Sequence, residues 1–231
     1  MFDGGQNGGI TLRNLELYGT NDSNSFITGT GSDTRTGIKL FSYASNSKLQ
    51  NLYIHGFGQL GVHITSTNTS TSTVFVLTSN NVSISHCDFR RNFYGIYIEP
   101  ASAEYIKVSD CRAWECSIGF YSGSASTLFT GCESFLNDIG FSVEGGAAAN
   151  TGHGVITGGI INHNNKPLSF TRLNTGFLVS GCQIWQGTNV IDGCTGVVIE
   201  DCEGSITRWN STTNGECWVR NNVWFTTYGN T

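Results

Sequence analysis

The chain has 231 residues, of which only 13% are charged and 30 are glycine. Its net charge of −5 comes without a basic run, which argues against a nucleic acid as a partner. The apolar stretches are only a few residues long, so the sequence predicts no membrane span. The segment Met1–Gly4 lacks the basic and apolar parts of a signal peptide.

An eight-residue phrase returns nine times along the chain, and its best copies have apolar residues or Cys at the first, third, sixth and eighth positions. The nine copies begin at Ile10, Ser47, Val82, Ile106, Thr127, Gly154, Phe177, Val197 and Cys217. A short strand cannot bury its own apolar edge, whereas stacked copies can. The repeat therefore predicts the coils of a solenoid.

A second phrase follows the first at a fixed distance in three coils. Gly95, Gly119 and Gly140 each stand eight residues after a cysteine of the first phrase and begin short runs with a period of two. No stretch has the spacing of an amphipathic helix. We therefore predict one all-β domain over residues 1–231, a parallel β-helix of about nine coils with repeats from about 8 to 226. Neither end carries a capping element, so we expect a fragment of a longer protein or ends covered by neighbouring domains.

Five of the eight cysteines occupy the sixth position of the phrase, which faces inward. They are Cys87, Cys111, Cys132, Cys182 and Cys202. Adjacent coils lie about 4.8 Å apart, but the parallel Cβ vectors suit the dihedral angle of a disulfide poorly. The sequence predicts a buried ladder of free thiols, which fits synthesis in a cytoplasm. No Cys or His spacing indicates zinc, and we predict neither a metal site nor a cofactor.

Outward-facing columns can be read across the sequence because the coils stack in register. One column of the second phrase contains Lys39, His63, Tyr97, Tyr121, Ser142 and Ser169. The column two residues later contains Phe41, Thr65, Glu99, Gly123, Glu144 and Thr171. Together they predict stacked phenols and a gap floored by glycine, with a carboxylate on either side. We define the tyrosine face as His63, Tyr97, Glu99, Tyr121 and Glu144.

The tyrosine face has the residue types of a site that acts on sugars. Glu99 and Glu144 are two coils apart, about 9.6 Å between backbones, near the range of about 6.5–9.5 Å for the acid and base of an inverting glycosidase. Asp138 lies in the turn before the strand of Glu144 and is the third candidate catalytic residue. The two tyrosines, with ring faces and hydroxyls suited to sugars, and His63 are candidate substrate-binding residues. Alternatively, both glutamates are solvated residues at strand ends.

Two further outward columns follow the first phrase. The first contains Glu16, Tyr53, Asp88, Arg112 and Glu133, and its alternating charges predict a cross-strand ladder of ion pairs. An alternative use of this region pairs His86 with Asp110 as a base and its orienting acid. The second column contains Tyr18, His55, Arg90, Trp114, Phe135, Asn162 and Trp185. Its aromatic rings suit either sugar or a neighbouring subunit, and Trp114 is its candidate substrate-binding residue.

Phrases such as Val82-Ser-Ile-Ser-His-Cys-Asp-Phe89 resemble those of the pectate-lyase-like right-handed β-helix superfamily, and the resemblance spans residues 8–226. Within it the chain looks most like bacteriophage tailspike and tail-fibre proteins. The resemblance implies a single-stranded right-handed parallel β-helix and specifies the fold more strongly than the activity. A tailspike would be a homotrimer in the virion, synthesised in the bacterial cytoplasm. Polygalacturonase-type members have a second Asp where this chain has Ile139, so their mechanism is not expected here.

Three functions remain open. The first is a tailspike-like β-helix that binds a bacterial surface polysaccharide and, if it is an enzyme, cleaves it as a glycosidase or lyase depolymerase. The second is a non-catalytic shaft or adhesin. The third is a free-standing pectate-lyase-like enzyme with an extracellular location. The tyrosine face lacks the dense acidic cluster that a calcium-dependent lyase needs.

Overall fold

The computed structural model describes residues 9–20, 35–40, 44–65, 80–100, 103–146, 152–209 and 214–229, without the side chains of 205–209 and 224–229. These residues form 23 strands, and none of them lies in a helix. Among the same residues no helix is long and apolar enough to cross a membrane. The strand pairings are parallel and join equivalent positions of successive coils.

Each coil has three sides. The first side contains β5 (Ser83–Ser85), β8 (Lys107–Ser109), β11 (Thr127–Thr130), β14 (Gly154–Thr157), β17 (Phe177–Ser180), β20 (Val197–Glu200) and β22 (Trp218–Arg220). The second side contains β6 (Asp88–Arg90), β9 (Arg112–Trp114), β12 (Glu133–Phe135), β15 (Ile160–Asn162) and β18 (Gln183–Trp185). The third side contains β2 (Thr36–Leu40), β4 (Leu60–Ile64), β7 (Tyr94–Ile98), β10 (Ile118–Ser122), β13 (Ile139–Glu144), β16 (Lys166–Thr171) and β19 (Thr188–Asp192).

Four longer strands run across a corner of the coil. Strands β1 (Thr11–Tyr18) and β3 (Lys48–His55) cover the first and second sides. Strands β21 (Glu203–Trp209) and β23 (Val223–Gly229) cover the second and third sides. The parallel β-helix predicted from the repeat is therefore confirmed.

The number of coils differs from the prediction, because the solenoid has about six turns and not nine. Six phrases, from 82 to 197, begin turns that can be followed from strand to strand. The phrases at Ile10, Ser47 and Cys217 supply strands to the same stacks, but several of their connections lie outside the described residues.

Inward-facing residues form one continuous core along the solenoid. Phe120 and Phe141 of adjacent coils stack with ring centroids 4.7 Å apart, and stacking of this kind adds to the free energy of apolar burial. The glycine that opens each second phrase is required by close approach. A Cβ on Gly95 would lie 2.5 Å from the carbonyl oxygen of Gly119.

The corner between the first and second sides uses residues in the left-handed backbone region. His86, Asp110 and Gly131 occupy this corner in successive coils, with φ of 53°, 51° and 62°. A Cβ on Gly131 would lie 2.6 Å from a carboxylate oxygen of Asp110, so a side chain there would displace that carboxylate. A corner of two residues turns the chain between two short strands.

All eight cysteines are buried and unpaired, as the ladder of free thiols requires. Each thiol of the ladder donates to a carbonyl of the preceding coil, as Cys111 does to Ile84 at 3.7 Å. Burial raises the pKa of Cys132 to about 12. The Cys132 sulfur therefore remains protonated and acts as a small apolar group.

A column of buried asparagines at the corner between the second and third sides was not predicted. The Asn137 side chain accepts from the backbone N–H of Cys116 at 2.7 Å and donates to the carbonyl of Ala113 at 3.0 Å. Asn92 and Asn164 make equivalent bonds with the coils before them. These amides satisfy backbone groups that the corner leaves outside the strand ladders.

Candidate functional site

The third side places the predicted tyrosine face in one continuous surface. His63, Tyr97 and Tyr121 are direct partners in the parallel ladder of β4, β7 and β10. The rings of Tyr97 and Tyr121 are stacked, with centroids 4.6 Å apart and planes 10° apart. His63 meets Tyr97 edge to face at 5.4 Å. The predicted stack of phenols is therefore present.

The two tyrosines of the face differ in exposure. Tyr121 is only 6% exposed, so of the two stacked rings only the half-buried ring of Tyr97 is open to a solute. Tyr94, which was not predicted, packs edge to face against both rings, at 5.0 and 5.7 Å. Burial raises the pKa of all three phenols. Their hydroxyls therefore stay neutral and can donate hydrogen bonds.

His63 and Glu99 form the most polar part of the face. His63 Nε2 lies 3.7 Å from Glu99 Oε2, and both atoms are buried without a hydrogen-bond partner. Burial, assisted by the nearby Lys39 ammonium, lowers the pKa of His63 to about 4. Burial also raises the pKa of Glu99, and Lys39 opposes that rise. A neutral imidazole thus stands beside a carboxyl group that holds its proton more tightly than usual.

Glu144 lies in a different environment. Its Oε2 accepts a hydrogen bond of 2.8 Å from the Tyr121 hydroxyl, and its Oε1 pairs with the Arg172 guanidinium. Arg172 follows β16 directly, one residue after the ladder partner of Glu144. A charge-assisted pair favours the carboxylate form. The two glutamates therefore differ in their surroundings, one beside a neutral histidine and the other beside an arginine.

The prediction of a gap above Gly123, between the two glutamates, is wrong. Gly123 is buried, and a Cβ on it would lie 2.5 Å from the ring of Pro100. Pro100 follows Glu99 directly in the sequence and covers the glycine of the next coil. The glycine thus makes room for a proline ring and does not open a gap for a ligand.

Asp138 and Trp114 are not brought together with the tyrosine face. Asp138 precedes β13, whereas Glu144 ends it, which separates them by about 20 Å of extended strand. The Asp138 carboxylate instead accepts a bond of 3.0 Å from Asn165. Trp114 lies on the second side, stacked at 5.6 Å on Phe135 with the Arg90 guanidinium 4.2 Å above its ring. Their roles in catalysis and substrate binding remain untested predictions, and a site confined to the tyrosine face would need neither residue.

The charge ladder consists of Asp88, Arg112 and Glu133 on the second side. Arg112 Nε donates to Asp88 Oδ1 at 2.8 Å, as the column predicts. The neighbouring His86 and Asp110 stand 3.9 Å apart and are largely exposed. With the charge ladder they line a surface cavity of about 390 Å³. No group of three or more His, Cys, Asp or Glu side chains among the described residues is arranged to hold a metal ion.

Three contacts of the face were missed because they do not follow ladder positions. Arg172 reaches Glu144 from beyond a strand end, and Pro100 covers Gly123 from a turn. The contact between His63 and Glu99, in contrast, could have been predicted from the sequence. Glu99 stands two residues after the ladder partner of His63, and such diagonal neighbours lie within reach of long side chains.

Comparison with solved structures finds the same fold in a protein of low sequence similarity. The chain is similar to the A-module of mannuronan C-5 epimerase AlgE4 from Azotobacter vinelandii, with 14% identity and a TM-score of 0.57. The match covers 81% of this chain and 54% of that module. The AlgE6 A-module of the same organism shares 15% identity over 81% of this chain and 57% of its own, with a TM-score of 0.39. This chain thus spans about half the length of either module.

No curated protein matches the sequence. The family described as right handed beta helix region matches residues 5–133, which is more than half of the chain. The matched stretch contains the Cys87 and Cys111 phrases and ends just after β11. This chain therefore belongs to the right-handed β-helix family.

Proposed function

We propose that the tyrosine face binds a polysaccharide and that Glu99 exchanges a proton with it. The observation that carries the proposal is the pair of buried, unpaired polar atoms on His63 and Glu99 beside the half-buried ring of Tyr97. Leaving such atoms without hydrogen bonds costs about 1–3 kcal/mol each. A sugar hydroxyl or glycosidic oxygen bound over the Tyr97 ring would supply the missing partner.

Glycoside hydrolysis fits the different surroundings of the two glutamates. The raised pKa of Glu99 suits a general acid that protonates the leaving oxygen. The Arg172 pairing suits Glu144 as a carboxylate that activates water. The two glutamates are two coils apart, about 9.6 Å between backbones, which corresponds to the wider spacing of an inverting mechanism. Pro100 stands between them, so the water would have to enter from above its ring.

Proton transfer at a sugar carbon is the second candidate, and the His63–Glu99 pair favours it. A neutral His63 is a base whose lone pair needs no prior deprotonation at pH 7. Lys39 lies close enough to act electrostatically on both groups and could neutralise an acidic sugar. The similar structure named as a mannuronan C-5 epimerase shows that this fold accommodates a polysaccharide-modifying enzyme. In this candidate Glu144 is a structural partner of Tyr121.

Our more specific proposal is that the chain is part of a bacteriophage tailspike whose ligand is a bacterial surface glycan. The support for this proposal is the resemblance of the repeat phrases to those of bacteriophage tailspike and tail-fibre proteins. It implies a homotrimer, neighbouring capping domains and a place in the virion after synthesis in the bacterial cytoplasm. Light scattering on the purified protein tests it: a trimer fits the tailspike, and a stable monomer fits a free-standing, extracellular enzyme instead.

A single incubation in deuterated water distinguishes the two candidate reactions. Hydrolysis releases new reducing ends without deuterium on sugar carbons, whereas proton transfer at carbon places deuterium there. Capsular and lipopolysaccharide glycans, neutral and acidic, are the substrates. Binding that survives unchanged in Tyr97→Ala would refute the proposed site.

A further inference from the structure

Ser126 and His153 meet at the corner between the third side of one coil and the first side of the next. Ser126 Oγ lies 3.0 Å from His153 Nε2, within hydrogen-bond distance. Both residues are partly exposed, so a solute can reach them. Neither belongs to the tyrosine face or to the charge ladder.

The fold fixes this contact through the backbone. Ser126 precedes β11 and His153 precedes β14, and the two strands pair from Thr127 and Gly154 onward. The N–H of Thr127 also donates to the carbonyl of His153 at 3.4 Å. Ser126 has a φ of 53°, the left-handed conformation that this corner uses in other coils. Coil stacking therefore holds the hydroxyl against the imidazole.

We propose that Ser126 and His153 form a nucleophile and base pair that accepts an acyl group from an ester. A hydroxyl within hydrogen-bond reach of an imidazole is the arrangement that activates serine. Ser126 Oγ would bond to the ester carbon while His153 Nε2 takes the hydroxyl proton. The ester C–O bond then breaks, and the proton passes to the departing alcohol. Water releases the acyl group as a carboxylic acid by the same steps, which restores the serine.

The position of the pair indicates the class of ester. Gly145 follows Glu144 of the tyrosine face, and its Cα lies 3.1 Å from the place of a Cβ on Gly152, the residue before His153. The pair thus adjoins the end of the tyrosine face. A polysaccharide bound there would present its O-acyl groups at this corner. This choice of substrate rests on the proposed function, whereas the reactivity of Ser126 does not.

His153 lacks the third group of a full triad in the part of the chain that the structure describes. Its Nδ1 is buried and has no hydrogen-bond partner. Weakening the carboxylate partner in a Ser-His-Asp triad lowers kcat by about 10⁴-fold. We therefore expect slow acylation of Ser126 and slow turnover.

A fluorophosphonate probe on the full chain tests the pair, with peptide mass spectrometry to find the labelled serine. We expect labelling of Ser126 that is lost in Ser126→Ala. The rate should fall by at least about 100-fold in His153→Gln, the lower scale of general-base loss. Free imidazole should restore part of the rate in His153→Ala. Ser109→Ala is the matched control, since Ser109 is a half-buried serine on the first side. Thermal melting confirms that each variant is folded.

Two results would overturn the pair: labelling of Ser126 no faster than of Ser109, or an unchanged rate in folded His153→Gln. Release of acetate from an O-acetylated polysaccharide then tests the substrate class. Probe labelling without acetate release would overturn the substrate class and leave the pair standing. Since the probe contains no sugar, failure of glycan binding at the tyrosine face does not affect the first test.

Discussion

The tyrosine face and the charge ladder are outward columns of the same solenoid, yet their polar groups differ in burial and in hydrogen bonding. In the charge ladder, Arg112 and Asp88 satisfy one another in contact with solvent. In the tyrosine face, His63 and Glu99 keep buried atoms without partners. Unpaired buried polar atoms destabilise a fold. Identical repeat geometry can therefore place polar groups either in a solvated ion pair or in a buried position without hydrogen-bond partners.

The largest expected effect is on turnover in Glu99→Gln. The amide keeps the shape of the side chain but cannot exchange a proton, so turnover should fall by at least about 100-fold while binding is retained. Release of reducing ends or deuterium incorporation measures it, according to the reaction found. Asp88→Asn in the charge ladder is the matched control and should keep full turnover. Equal losses of turnover in the two variants would contradict a catalytic role that is specific to the tyrosine face.

The next largest effect is on binding in Tyr97→Ala. Loss of the half-buried ring should raise the dissociation constant for the polysaccharide about tenfold, which corresponds to about 1.4 kcal/mol. Isothermal titration calorimetry measures it, and Tyr97→Phe separates the ring from its hydroxyl. Affinity that stays within twofold of wild type in Tyr97→Ala would contradict the assignment of this ring to sugar stacking.

The pH dependence of stability should reveal His63. Its lowered pKa means that the unfolded chain binds a proton more readily, so the stability contribution is present above pH 6.5 and is lost as pH falls towards about 4. The raised pKa of Glu99 acts in the opposite direction, since its contribution is lost as pH rises. In the Glu99→Gln background, His63→Gln should therefore reduce the acid loss by about 1 kcal/mol, given partial screening. Urea unfolding between pH 7 and 4 measures the free energy of unfolding of the two variants. Parallel curves of this free energy against pH would exclude a contribution from His63.

The smallest effect belongs to the charge ladder. Arg112→Gln breaks an exposed ion pair, and such pairs contribute about 0–1 kcal/mol. We expect the free energy of unfolding to change by less than about 1 kcal/mol, without any change in turnover. Chemical denaturation and the activity assay provide the two readings. A loss of turnover here would move the site from the tyrosine face to the cavity at His86.

The columns of this fold could be predicted from the sequence because a parallel register fixes which residues become neighbours. His63, Tyr97 and Tyr121 were aligned from repeat spacing alone, and the structure pairs them in that order. The buried thiol ladder followed from the same register. The spacing of the repeats therefore predicts most of the fold.

Contacts at strand ends and corners could not be predicted in the same way. Arg172 reaches Glu144 through a long flexible side chain, and Pro100 covers Gly123 from a turn whose path is not periodic. The contact of Ser126 with His153 also depends on corner geometry. Exposure was a further limit, since an outward position did not reveal that Tyr121 is buried by its neighbours.

Binding of the wild-type chain to an array of bacterial glycans, compared with Tyr97→Ala and Trp114→Ala, tests the central claim most directly. Both substitutions remove one aromatic ring from an outward column, but Trp114 lies on the second side, away from the tyrosine face. We predict that Tyr97→Ala loses the glycans recognised by wild type, whereas Trp114→Ala retains them. The reverse pattern, with binding retained in Tyr97→Ala and lost in Trp114→Ala, would contradict a polysaccharide site at the tyrosine face.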